Sequence, residues 1–286
     1  MYFFLNGSFL SEQDAKLSIL DLGLIRGFGV FDYLRTYQGK PFHLEEHLQR
    51  LQYSAKNIGL SLPYSFDEMQ KILEKLIEQN GPGEYSIKLI VTGGVSPDQL
   101  LPSGNTSFIA FAYPLTPYPP KHFTHGIKTI TTSHKRCLPE CKTTQYLPAI
   151  ISLQEGRKKG ALESLYISDK QEILEATTSN FFAFKKGVLI TPPKEGILLG
   201  ITREVVLRVC ESHFPIEIRA ISKEEIPHLD ETFITASNKE VMPVIQIDDH
   251  LIRTGEVGPL TQKVIELFSN YTSSGKWESL TISRYL

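Results

Sequence analysis

Three groupings in the chain bring together residue types that could do chemistry. His134, Cys137 and Cys141 offer metal-ligand atoms at short spacing, but no second ligand pair of zinc spacing lies elsewhere, so no metal site is expected. Gly23, Gly27 and Gly29 form a glycine-rich stretch whose order does not give G-x-G-x-x-G. A strand-like run follows it where dinucleotide binding needs a helix, so a turn is the better reading. The third grouping, Cys141-Lys142-Thr143-Thr144-Gln145-Tyr146-Leu147-Pro148, sets Lys142 between an apolar-leaning strand and a helix. A lysine taken alone is most often a solvated charge. Its context argues otherwise: downstream come Glu175-Ala176-Thr177-Thr178-Ser179-Asn180, the strand-like Val188-Leu189-Ile190-Thr191, Pro192-Pro193 and Gly200-Ile201-Thr202-Arg203. No G-x-S-x-G elbow is present and the eight histidines show no partner pattern, which argues against a hydrolase.

The elements that must position these residues are readable from periodicity. Tyr2 to Leu5 reads as a strand with a turn at Asn6-Gly7, and Val30 to Tyr37 as a β-branched and aromatic strand turning at Gln38-Gly39-Lys40-Pro41. Leu44, Leu48, Leu51, Ala55 and Ile58 form one apolar stripe at helical spacing, with Gly59 where a C-terminal cap belongs. Phe66 to Gln79 repeats the pattern and Asn80-Gly81-Pro82-Gly83 ends it; Tyr85 to Thr92 and Phe108 to Tyr113 read as strands. Four prolines within Tyr113 to Pro120 favour extended backbone and mark a domain boundary. Beyond it, short strands alternate with helices near 148 to 159, 202 to 213 and 259 to 269.

At 286 residues, with about 150 per domain, two domains are expected. Hydrophobic residues at 41% and charged residues at 22% fit a folded globular chain. With 30 Lys plus Arg against 32 Asp plus Glu, the formal charge of -2 supplies no basic field for nucleic acid or an anionic membrane. No apolar run approaches the roughly 18 residues of a membrane span, and the first residues lack a basic n-region and cleavage site. Three cysteines are too few for a disulfide framework, so the expectation is a soluble, cytoplasmic protein with reduced thiols.

Five blocks then occur in one order: Val30-Phe31-Asp32 after the glycine-rich turn, with His47-Leu48-Gln49-Arg50-Leu51; Lys142; Glu175 to Asn180; Gly200-Ile201-Thr202-Arg203; and Ser237-Asn238-Lys239-Glu240-Val241-Met242-Pro243-Val244. The series resembles the fold-type IV pyridoxal-phosphate enzymes, or class IV aminotransferases, which include branched-chain aminotransferases, D-amino-acid aminotransferases and 4-amino-4-deoxychorismate lyases. The resemblance implies an α+β, two-domain, D-amino-acid-aminotransferase-like fold with pyridoxal 5'-phosphate at the domain interface. The expected division is 1-115, a Pro-rich linker 116-122, and a cofactor-binding domain 123-286.

By the same resemblance Lys142 is the catalytic lysine, whose amine forms the Schiff base and then moves the proton at the substrate Cα. Glu175 faces the pyridine nitrogen, where an anion favours the protonated, electron-withdrawing ring. Arg50, Ile201, Thr202, Ser237 and Asn238 hold the phosphate, with Gly200-Ile201-Thr202 opening a helix whose N-H groups and dipole suit an anion. Arg50 lies off its helix's apolar stripe, and by composition alone it would be a solvated charge. Substrate contacts are expected from Phe31, Arg35, Lys88 and Arg26. Lys88 falls where branched-chain enzymes carry Tyr-x-Arg, Tyr33 replaces a small pocket residue, and the Arg-x-His trap of D-amino-acid enzymes is not evident. The expected activity is amino transfer between a branched-chain-like amino acid and a 2-oxo acid. The alternatives are a 4-amino-4-deoxychorismate lyase and a catalytically silent binding protein of the same fold. A homodimer is implied by the family.

Overall fold

A computed structural model describes residues 1–282. The chain separates into two compact units, the first holding Met1–Thr116, Cys141–Gln145 and the stretch from Trp277, the second holding Pro117–Glu140 and Tyr146–Lys276. The expected division at the Pro-rich segment differs from this in two places. The Lys142 segment and the C-terminal stretch both lie within the expected second domain and pack with the first unit. The reason is hydrogen bonding within the first unit: Phe31 N–H donates to Lys142 O (2.9 Å), Thr144 N–H to Gly29 O (2.9 Å) and Leu280 N–H to the Glu46 side chain at Oε1 (2.6 Å).

In the first unit, six strands form an antiparallel sheet in the order Ser8–Ser11, Tyr2–Leu5, Ser107–Pro114, Tyr85–Thr92, Gly29–Tyr37, Lys40–Pro41. Side chains alternate across it. Val30, Leu34, Ile87, Leu89, Val91, Phe108 and Ala110 are buried on one face, as the two-residue period of a strand requires. The helices Leu44–Asn57 and Phe66–Asn80 cover that face with Leu48, Leu51, Met69, Leu73 and Leu76. Both helices start and stop as the sequence indicates: Ser65 and Glu68 form a capping box, and Gly59 adopts φ +75° just past the first helix. The opposite face carries Phe31, Tyr33, Arg35 and Lys88, with Tyr33 and Lys88 paired across neighbouring strands.

The second unit is built on a mixed ten-stranded sheet. Its main path runs Ile216–Ile218, Val188–Thr191, Asn180–Lys185, Glu231–Ala236, Glu240–Ile247, Ile127–Ser133, Glu163–Ile167, Glu172–Ala176, Ile221–Ser222. Asn180 also pairs with Glu175, so the sheet closes on itself. Leu165, Ile173, Phe181, Ile234, Met242 and Val244 fill the core. Helices Ile201–Cys210 and Pro259–Ser273 pack outside, where Phe182 and Phe233 stack at 4.9 Å. Among the described residues, no helix is long and apolar enough to cross a membrane.

Candidate active site

Lys142 is held in the first unit by local pairing with the start of a strand. Thr143 bridges Val30, the Lys142 N–H donates to Ser54 Oγ at 3.0 Å, and the Thr144 hydroxyl donates to Gly27 O at 2.9 Å. Gly29 is packed against the neighbouring strand, where a Cβ would come within 2.8 Å of Val91 O, and that Cβ would lie 3.4 Å from Thr144 Oγ1. The glycine-rich stretch, read as a turn, forms the one-turn helix Leu22–Ile25 and then enters the strand at Gly29, and it seats the lysine segment through Gly27 O and Gly29 O. Lys142 Nζ lies 4.6 Å from the centre of the Phe31 ring, and Lys88 Nζ lies 5.6 Å from the same ring and 5.8 Å from that of Phe111. Two amines therefore face one aromatic ring on one face of the sheet. Burial pushes the Lys88 pKa below the ordinary lysine value, because a half-buried ammonium loses hydration.

Arg35 and Arg26 are not part of this grouping. The Arg35 guanidinium lies over the Tyr37 ring at 4.2 Å and donates from Nε to Thr36 O. Arg26 is exposed and its Nη1 donates to Ile25 O.

Arg50 is not the solvated charge its helix position suggested. It is 3% exposed, and its Nε and Nη2 each donate to one Asp32 oxygen at 2.8 Å. His47 Nδ1 lies 2.6 Å from Asp32 Oδ1. Burial alone would raise the Asp32 pKa, but Arg50 and His47 beside it hold the carboxyl well below its ordinary range. Burial lowers the His47 pKa below its ordinary value despite Asp32. Asp32 and His47 were not singled out from the sequence. A signal existed: Asp32 sits between Val30 and Leu34 on the buried face of an alternating strand, where a carboxylate needs a cation.

In the second unit, Glu175 is the last residue but one of the strand Glu172–Ala176 and is 5% exposed. Its Oε1 accepts from Arg136 Nε and Nη2, both at 2.8 Å, and its Oε2 accepts from the Leu198 N–H at 3.0 Å. Burial opposes the Arg136 charge, yet Glu175 raises the guanidinium pKa above its ordinary value. The pair is thus a carboxylate and a guanidinium joined by two hydrogen bonds to one oxygen. Arg136 lies in an irregular segment without periodicity, and nothing in the sequence marked it.

Gly200 caps the helix Ile201–Cys210 and no side chain caps the first-turn N–H groups. Thr202 is 3% exposed, and its hydroxyl makes no hydrogen bond to another described residue. A Cβ at Gly200 would collide with Asn180 Oδ1, whose amide is fixed by donation to Leu198 O at 2.7 Å. Uncapped donors, a hydroxyl and the positive helix end make a cradle fit for a phosphate. Ser237 and Asn238 occupy the turn after the strand Glu231–Ala236, closed by the Lys239 N–H donating to Ala236 O at 3.0 Å. The residues present thus fit pyridoxal 5'-phosphate by donor chemistry: an amine at Lys142, a carboxylate at Glu175 and phosphate donors at 200–202.

Comparison with known proteins agrees with this chemistry. The family model described as "Amino-transferase class IV" matches residues 29–247. The chain is 35% identical over 286 residues to a putative branched-chain-amino-acid aminotransferase of Methanocaldococcus jannaschii, covering 97% of this chain and 98% of that one. It is 32% identical over 278 residues to a D-alanine aminotransferase of Staphylococcus aureus, covering 95% and 98%. The crystal structure of Escherichia coli branched-chain amino acid aminotransferase superposes with a TM-score of 0.91 at 27% identity, covering 98% of this chain and 97% of that one. These relatives are all aminotransferases, and none is the lyase of the alternative expectation. The chain belongs to the class IV aminotransferase family.

Proposed function

We propose that this aminotransferase moves an amino group between a branched-chain-like amino acid and a 2-oxo acid, using pyridoxal 5'-phosphate. In this reading the residues that the resemblance assigns to the cofactor are Lys142, Arg50, Glu175, Ile201, Thr202, Ser237 and Asn238. The observation that carries the reading is the sheet face on which Lys142 Nζ lies 4.6 Å and Lys88 Nζ 5.6 Å from the centre of the Phe31 ring. The cofactor, when bound, supplies an aldehyde for amine exchange and a ring that withdraws electrons from the substrate Cα.

Lys142 Nζ would supply the amine that attaches the cofactor and, when free, would act as the base and then the acid for the substrate Cα proton. An arginine could not serve, because it stays protonated. Glu175, fixed by Arg136, holds a negative charge where the pyridine nitrogen is assigned and so favours its protonation. Phe31 and Tyr33 offer an aromatic floor to an apolar side chain. Lys88, whose Nζ lies near the Phe31 and Phe111 rings, is suited to a substrate carboxylate. Phe31, Lys88, Arg35 and Arg26 were the substrate residues expected, and the described contacts favour the first two.

A single-turnover assay tests the reading: holoenzyme is mixed with L-leucine, L-isoleucine, L-valine or D-alanine, and the cofactor spectrum and 2-oxo acid are followed. Conversion by the branched-chain amino acids is expected. Conversion by D-alanine alone overturns the substrate assignment in favour of a second reading, which rests on the 32% identity to the D-alanine enzyme.

We also propose a homodimer and a cytoplasmic location. Ile19, Leu24, Leu100 and Leu101 are each more than 60% exposed in the first unit, and the Asp21–Val95 bridge draws their two loops together. An apolar patch of this kind is what a second copy would cover. Sedimentation of purified protein checks the dimer. Exposed Cys137 suits a reducing compartment.

A further inference from the structure

Lys239 is a buried cation to which the proposed chemistry gives no role. It is 3% exposed, its Nζ lies 2.9 Å from Glu163 Oε1, and Glu163 is itself 2% exposed. Lys239 Nζ also donates to Thr178 Oγ1 at 2.6 Å and lies 5.7 Å from the centre of the Tyr118 ring. The hydroxyls of Thr177 and Thr178 donate to opposite oxygens of Glu163, and that of Ser179 lies 3.5 Å from Oε1. The Glu163 pKa is lowered and the Lys239 pKa raised, each despite burial, because each charge faces the other.

The placement of this cluster gives it a use. Thr177, Thr178 and Ser179 form the turn between the strand that ends on Glu175-Ala176 and the strand that begins at Asn180. Lys239 closes the other turn, 236–240, which carries Ser237 and Asn238. Glu163 starts a third strand. One ion pair thus ties the turn that follows Glu175, the residue assigned to the pyridine nitrogen, to the turn that carries Ser237 and Asn238, assigned to the phosphate. A buried pair of opposite charges sharing a hydroxyl holds its two backbones in one register, because parting them strands a charge away from water.

We propose that Lys239, through Glu163 and Thr178, is a positioning residue that sets the Ser237-Asn238 turn for the phosphate of the cofactor. The inference rests on the assignment of that turn to phosphate. Its test is the dissociation constant of cofactor-free protein for pyridoxal 5'-phosphate and, separately, for pyridoxal, which lacks the phosphate. The comparison uses wild type, Lys239→Met and the double variant Glu163→Gln with Lys239→Met. Lys239→Met should weaken pyridoxal 5'-phosphate by roughly tenfold or more, the size of effect seen when an outer support of a bound group is removed. Pyridoxal affinity should stay within about twofold of wild type, since loss of fold alone lowers both affinities by the same factor. The double variant leaves no lone buried charge, so it should recover thermal stability while still binding pyridoxal 5'-phosphate weakly. It carries the test if Lys239→Met does not fold. Equal loss for the two ligands, or unchanged pyridoxal 5'-phosphate affinity, overturns the inference. A wild type that binds neither ligand overturns the proposed function instead.

Discussion

Replacing Asp32 by Asn keeps the shape of the side chain and removes its charge. The Arg50 guanidinium, 3% exposed, then faces an amide that offers one oxygen and one NH2 in place of two carboxylate oxygens at 2.8 Å. One hydrogen bond is lost and a cation is left without its counter-charge. Breaking a buried pair on one side costs about 3–5 kcal/mol, and the oxygen that Asn retains puts D32N near the lower end, about 3 kcal/mol. At roughly 2–4 °C per kcal/mol for a chain of this size class, Tm should fall by roughly 6–12 °C. Thermal unfolding followed by circular dichroism at pH 7.5 measures it, and the double variant D32N/R50M should show a coupling of about 2 kcal/mol or more. The sign with pH is also set. The folded pKa of Asp32 is depressed below its ordinary 3.8, so its contribution is present above that value and is lost as pH falls through the folded pKa. The gap between wild type and D32N should therefore close on acidification below pH 3.8. A D32N variant within about 2 °C of wild type at pH 7.5 would refute the buried pair, given the shift expected for a kcal/mol.

Other consequences are open to simple measurement. Cys137 is exposed while Cys141 and Cys210 are buried, and burial raises the Cys210 pKa to about 12, so a thiol reagent should label one cysteine fast and the other two only on unfolding. Gly200→Ala should cost about 1–3 kcal/mol through collision with Asn180 and should weaken pyridoxal 5'-phosphate binding as well, both readable in one thermal-shift series with and without cofactor. Glu225 is brought down to about 2, chiefly by hydrogen bonds from Arg219, against burial, with Lys185 adding to the effect. Glu225→Gln should thus lower Tm above pH 4.5, and its difference from wild type should vanish as pH falls toward 2.

The helices of the first unit were legible because each carries its information locally: an apolar stripe, a capping box at Ser65, a glycine at 59 with positive φ. The strand Gly29–Tyr37 was legible for the same reason. What periodicity could not show was pairing between distant segments. Lys142 is separated from Phe31 and Ser54 by about a third of the chain, and its segment has no period of its own. Its place in the first unit therefore follows only from backbone bonds made after folding. Arg50 read as solvated because its partner Asp32 sits on another element. Asn180–Lys185 is buried on both faces, so it shows no alternation and was not marked as a strand. The candidate residues themselves were found by resemblance, whereas their supports, Asp32, His47, Arg136 and the Lys239–Glu163 pair, came from the structure.

The central claim is that Lys142 is the amine that carries the cofactor. Borohydride reduction of the holoenzyme followed by peptide mapping tests it most directly. The account predicts one phosphopyridoxyl group per chain, on the peptide containing Lys142, and none in a Lys142→Ala variant. A label on Lys88 or spread over exposed lysines in the wild type, or equal labelling of both proteins, would contradict it.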